Sequence, residues 1–118
     1  GCGEGVLTEQ WADKLGSGRI VGIDLDDDKL RAEWDKRQRA NLEYRAEDAT
    51  NLSFADNEFD MATAIEVLEH VPDPDATLAE MARVARRWLL VSVPREPLSL
   101  RAVTTTRIVC PTSAERTP

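Results

Sequence analysis

Nothing in this sequence is long and apolar enough to cross a bilayer. The best run, Trp88 to Val93 (WLLVSV), is strand length, far short of the ~20 residues a membrane helix needs. Cysteine chemistry is missing too. Cys2 and Cys110 stand far apart, without a CxxC spacing or a nearby histidine, which argues against a zinc site and a disulfide framework. Positive charge is scarce: 15 Lys and Arg face 22 Asp and Glu, for a net charge of −7. That sign disfavours nucleic acid, whose phosphates need clustered cations. The imbalance is local, with 11 basic and 20 acidic residues in 1–94 but 4 and 2 in 95–118. The first residue is Gly1 rather than Met, and no basic-then-apolar leader precedes the fold. No signal peptide is therefore visible, and the default expectation is a cytoplasmic chain with no membrane partner.

What remains is an ordinary globular balance, 42% hydrophobic and 31% charged over 118 residues, suited to one small domain. Leu7, Trp11 and Leu15 recur at four-residue spacing, which predicts a helix that Gly16-Ser17-Gly18 stops. Arg19 to Asp24 (RIVGID) reads as a buried strand. A helix is predicted from about Asp27 to Ala40, with Leu30 and Trp34 on one face and Asp26, Asp27 and Asp28 at its electropositive start. Strands follow at Leu42 to Ala46, Phe59 to Ile65 and Trp88 to Val93, with a helix over Asp75 to Arg87 before the last. Helices between most strands predict an α/β fold with a doubly wound, mostly parallel sheet. The tail, 95–118, has no period and is expected to be irregular, a guess that extends to its being non-native sequence.

The chain opens on Gly1-Cys2-Gly3-Glu4-Gly5, just ahead of the first helix. Glycines there permit positive φ and let a ligand lie against the backbone, while the helix start offers unpaired N–H groups. A plain flexible turn is the alternative. Asp24 ends the next strand, close to the separation at which an acidic residue reaches ribose hydroxyls in nucleotide-binding folds. Otherwise Asp24 caps the following helix. A dinucleotide fingerprint would need Gly or Ala at position 6, and the chain has Val6.

The G-x-G-x-G spacing resembles instead the first motif of class I S-adenosylmethionine-dependent methyltransferases. VGIDLDDDKL (21–30) is similar to that family's second-strand segment, and 46–86, from AEDATNL to EMARVAR, to its third-strand, fourth-strand and following-helix segment. The resemblance implies a partial Rossmann-like core over 1–94, lacking the family's first and last strands, and S-adenosylmethionine as cofactor. It also implies a role for each matching residue. The backbone of Gly1, Cys2, Gly3 and Gly5 would face the methionine and ribose parts. Asp24 would hold the ribose hydroxyls, Leu25 would pack on adenine, and Asp48 and Ala49 would bond its ring. Ile65 and Glu66 would line the methionine side. The implied reaction is methyl transfer to a small molecule.

The alternatives are a nicotinamide-dependent oxidoreductase on a similar fold and a non-catalytic binding domain. His70 suits either a general base or a pocket rim, and a helical turn would put it on one face with Glu66. Trp11, Trp34 and Trp88 read as core rather than cofactor platform. The run Asp26–Asp28 reads as a solvated helix start rather than a metal site. No catalytic residue is identified, and oligomeric state is not legible.

Overall fold

The computed structural model describes residues 1–94 and the backbone of a short strand at 107–109. They fall into two compact units, Gly1–Ala49 and Thr50–Pro118. The first unit runs α1 (Val6–Leu15), β1 (Ile20–Asp24), α2 (Asp28–Asp35) and β2 (Leu42–Ala46). The second runs β3 (Phe59–Ile65), α3 (Pro74–Val84), β4 (Ala85–Ser92) and β5 (Arg107–Val109). The fold is α/β with parallel neighbours, as expected, arranged as two ladders. β1 pairs in parallel with β2, placing Gly22 opposite Tyr44 and Asp24 opposite Ala46. β3 pairs in parallel with β4, with a register shift between Phe59 and Met61. Each parallel pair is joined through a helix, as a two-residue hairpin cannot connect parallel strands.

Local chemistry sets the boundaries. The Asp27 carboxylate caps α2 by accepting from the N–H groups of Lys29 (2.8 Å) and Leu30 (3.0 Å). Asp73 does the same for α3 from Ala76 (3.0 Å), with Pro74 next in line where a missing N–H costs nothing. Gly16, at φ 65°, ends α1. Asn41 then ties that end to the strands, its amide donating to the carbonyls of Ala12 and Gly18, both at 2.9 Å. The first unit buries Ala12, Trp34 and Leu42; the second buries Phe54, Ala64, Leu68, Met81, Val84 and Ala85. Phe54 meets Phe59 edge to face at 4.9 Å.

Four expectations change. α2 stops at Asp35, not Ala40, because Lys36 and Arg37 donate to the carbonyls of Glu33 and Trp34, three residues back, and tighten the last turn. β4 begins at Ala85, inside the expected helix. Ala85 is fully buried against the Phe59 position, so its apolar side chain serves the strand as well as it fitted the helical period. Trp88 is 39% exposed and pairs with Met61, itself 48% exposed, so it is not core; after Ala85, β4 is exposed through Trp88 and half-buried from Leu89. Within the expected irregular tail, β5 pairs antiparallel with β4, Ile108 opposite Leu90. The remaining tail residues, Cys110 among them, lie outside those described. No described helix is long and apolar enough to cross a membrane.

Candidate functional site

The glycine loop does not dangle. Cys2 N–H donates to the Ile23 carbonyl at 2.9 Å, which lays the loop along the carboxyl end of β1. Gly3 N–H donates to Asp24 Oδ2 at 2.7 Å, and Leu25 N–H donates to Oδ1 at 2.7 Å. Because Asp27 caps α2, Asp24 is released from the helix-cap role and instead braces the loop. A carboxylate offers about four lone-pair positions. Two are taken by these amides, and the others can accept from a pair of vicinal hydroxyls. Leu25 beside it is 70% exposed, a large apolar side chain at the same strand end. Glu47 N–H donates to the Asp24 carbonyl at 3.0 Å, so Asp48 and Ala49 leave β2 next to Asp24. Asp48 is exposed and Ala49 half-buried.

The loop glycines divide the work. Gly3 has φ +57°, and a Cβ built there would meet nothing within 4 Å. Gly5 has φ +86°, and its Cβ would lie 2.6 Å from Tyr44 Cε1 and 2.7 Å from the phenol oxygen. Gly5 is therefore glycine for both conformation and packing, whereas at Gly3 the missing side chain leaves open space. Gly22 is a third close approach, with Tyr44 Cδ1 at 3.1 Å and Cys2 Sγ at 3.2 Å. Burial, the largest cause, pushes the Cys2 thiol up to about 11, so at neutral pH it is no thiolate nucleophile. Burial likewise raises the Tyr44 phenol to about 12.

Tyr44 is the residue the sequence reading missed. Its ring stacks on Trp34 with centroids 5.5 Å apart and planes 4° from parallel. A tyrosine opposite a mid-strand glycine was the available signal. Trp34 is buried, as expected of core, yet its indole N–H reaches the Gly3 carbonyl at 2.7 Å.

In the second unit, Ile65 ends β3 half-buried opposite Ser92. Exposed Glu66 follows at φ 54°, its N–H donating to the Ser92 carbonyl at 2.9 Å. That left-handed turn is uncommon for a side chain larger than glycine's. The segment from Glu66 to His70 is a bend and turn rather than a helix, so the expected shared helical face does not form. His70 is 79% exposed beside Glu69, at 3.5 Å. Asp26 pairs with Arg31 at 2.6 Å. Among the described residues no group of His, Cys, Asp and Glu could hold a metal ion. The first unit thus gathers Gly1, Cys2, Gly3, Gly5, Asp24, Leu25, Asp48 and Ala49 around one strand end. A shallow groove lined by Gly16, Arg19, Asn41 and Glu43 lies at the opposite, amino ends of β1 and β2.

Comparison with known proteins gives a consistent picture. Residues 1–88 match the family described as "Methyltransferase domain". The chain is 38% identical over 89 residues to a ubiquinone biosynthesis O-methyltransferase of Methylococcus capsulatus, covering 73% of this chain and 37% of the relative. It is also 38% identical over 85 residues to a demethylmenaquinone methyltransferase of Paenarthrobacter aurescens, covering 72% and 32%. The chain thus spans about a third of the length of these relatives. Among solved structures, a SAM-dependent methyltransferase of Methanosarcina mazei superposes with TM-score 0.63 at 30% identity, over 77% of this chain and 48% of that one. The [4+2]-cyclase SpnF superposes with TM-score 0.69 at 25% identity, over 79% and 36%.

Proposed function

The chain belongs to the methyltransferase domain family, and from that premise we propose that its protein transfers a methyl group from S-adenosylmethionine to a small-molecule acceptor. The observation that carries the reading is the glycine loop braced on Asp24, with Gly3 N–H on Oδ2 at 2.7 Å and open space on the Cβ side of Gly3. When bound, S-adenosylmethionine supplies an electrophilic methyl on a sulfonium, which an acceptor nucleophile displaces in line. In this reading Asp24 accepts from the ribose hydroxyls with its remaining lone pairs, and Leu25 covers the adenine. Asp48 accepts from the adenine amino group, and the Ala49 N–H meets the ring. The backbone of Gly1, Cys2, Gly3 and Gly5 lies along the ribose and methionine. Ile65 and Glu66 are assigned to the methionine side on the family resemblance alone. An acidic strand end suits a sulfonium cation better than it would suit a phosphate. Positioning of two reactants carries most of such a rate, and no covalent nucleophile is needed. The protonated Cys2 thiol agrees with that.

Relatives named for O-methylation in ubiquinone biosynthesis suggest a hydroxyl-bearing acceptor. The test is to incubate the native-length protein with methyl-labelled S-adenosylmethionine and a panel of hydroxyl-bearing small molecules. Label on an acceptor oxygen is expected. Binding of the cofactor without transfer to any acceptor favours a second reading, a methyltransferase-like domain put to another use. One observation supports that reading: the similar structure of SpnF is named for cyclisation.

A further inference from the structure

Two aromatic side chains end on the glycine loop. The Trp34 indole N–H, from α2, donates to the Gly3 carbonyl at 2.7 Å. The Tyr44 hydroxyl, from β2, donates to the Gly5 carbonyl at 3.1 Å. We propose that Trp34 and Tyr44 are a positioning pair for cofactor binding, clamping the carbonyl side of the glycine loop so that its ligand side is preformed. The inference rests on S-adenosylmethionine being the loop's ligand.

Gly3 is fixed on both sides, its N–H by Asp24 and its carbonyl by Trp34. Gly5 is fixed likewise. Its N–H donates to the Cys2 carbonyl at 3.1 Å, and its carbonyl accepts from Tyr44 and from Glu9 N–H at 2.9 Å. The two clamps are coupled, because the rings stack 5.5 Å apart and nearly parallel. Tyr44 also fills the space that Gly5 and Gly22 leave empty, so the loop cannot shift toward β2 without meeting the ring. Packing alone would be met by two phenylalanines. The polar tips go further, since both reach carbonyls of the one loop whose shape Asp24 also sets.

A residue that only preorganises a site changes affinity through the fraction of molecules already in the competent shape. Take a loop about nine-tenths competent, with each hydrogen bond worth roughly a factor of 5 in that equilibrium. Losing both bonds leaves about a quarter competent and weakens binding roughly three- to fourfold.

Tyr44→Phe removes only the hydroxyl donor, and Trp34→Phe removes the N–H donor with the five-membered half of the indole while keeping an aromatic ring in the stack; both are made singly and together. Calorimetric titration of S-adenosylmethionine into the native-length protein and these variants, well below their unfolding temperatures, measures the effect. Leu42→Ala is the comparator, since it hollows the same unit's core at the Ile20 end of the β1–β2 ladder, away from Asp24. The double Phe variant is expected to bind about three- to fourfold more weakly, and Leu42→Ala as wild type does. Amide hydrogen exchange across 2–5 is expected to quicken in the free variants and return to the wild-type rate at saturation. Wild-type affinity together with unchanged exchange in the Phe variants overturns the clamp, as does an equal loss of affinity in Leu42→Ala. Failure of the wild type itself to bind S-adenosylmethionine removes the cofactor reading, and the clamp with it.

Discussion

Gly5→Ala and Gly3→Ala are chemically the same change two residues apart in one loop, and their consequences should separate. At either position a positive φ costs an L-residue about 1–2 kcal/mol. Gly5 adds steric overlap, because the new Cβ would sit 2.6 Å from Tyr44 Cε1 and 2.9 Å from Cζ. Real Cβ atoms do not approach that closely, so the ring must move from between Gly5 and Gly22 or the loop must yield. Overpacking of this kind costs about 1–3 kcal/mol. The expected total is about 2–5 kcal/mol for Gly5→Ala against about 1–2 for Gly3→Ala. A loss of that size is a large share of an ordinary domain's stability. Urea unfolding of the native-length proteins reads the difference as a shift in midpoint at constant slope. Binding should rank the other way per unit of stability lost. The Gly3 methyl enters open space facing the proposed ligand, so it should weaken S-adenosylmethionine binding while the fold holds. The double change Gly5→Ala/Tyr44→Ala should cost less than the sum of the single changes, since the overlap disappears with the ring. Equal stability losses at Gly3 and Gly5, or strict additivity with Tyr44→Ala, would refute the packing argument.

Alkaline behaviour follows from two half-buried acids, Cys2 and Tyr44. The folded chain keeps the Cys2 and Tyr44 protons up to about 11 and 12, above the ordinary values of 9.0 and 10.0 at which an unfolded chain releases them. The unfolded state then binds fewer protons, so stability is whole below pH 9 and falls as pH rises through about 11 and 12. Tyr44 is the one tyrosine of this sequence, and its ultraviolet phenolate signal should titrate near 12 while folded; a midpoint at 10 contradicts its burial. Arg83 pins the segment before β3, donating to the carbonyls of Phe54 (2.7 Å) and Leu52 (3.1 Å) and pairing with Glu80 at 2.7 Å. Arg83→Ala should cost about 1–3 kcal/mol and speed proteolysis around 50–57, and Arg83→Lys should not restore protection, because an ammonium cannot span the fork. Unchanged cleavage in Arg83→Ala would show that the segment holds without it.

Much of this was legible beforehand, and the failures have causes. β2 and β3 fall where a run of strand-forming residues and flanking polar loops put them. The glycine loop and Asp24 were readable as one unit because their separation along the chain matches a strand-end geometry. The partner of that unit was not readable. Trp34 and Tyr44 reach the loop across 31 and 39 residues of sequence, and no local spacing reports such a contact. α2 was overextended because Arg37 to Ala40 carries neither glycine nor proline to mark the stop. β5 escaped notice since three residues acquire strand character only by pairing with β4. Glu66 at positive φ was invisible too: its conformation is imposed by the bond to Ser92 and by the turn after β3, and glutamate has no preference for it.

The central claim is that the loop braced on Asp24 holds S-adenosylmethionine. Parallel calorimetric titrations of the native-length protein with S-adenosylmethionine and with NAD test it most directly, repeated on Asp24→Ala. Saturable binding of S-adenosylmethionine is expected, none of NAD, and a loss of at least tenfold in Asp24→Ala, from one or two charge-assisted bonds worth about 1.5–3 kcal/mol each. Tighter binding of NAD, or an Asp24→Ala protein that binds S-adenosylmethionine as the wild type does, would contradict the account.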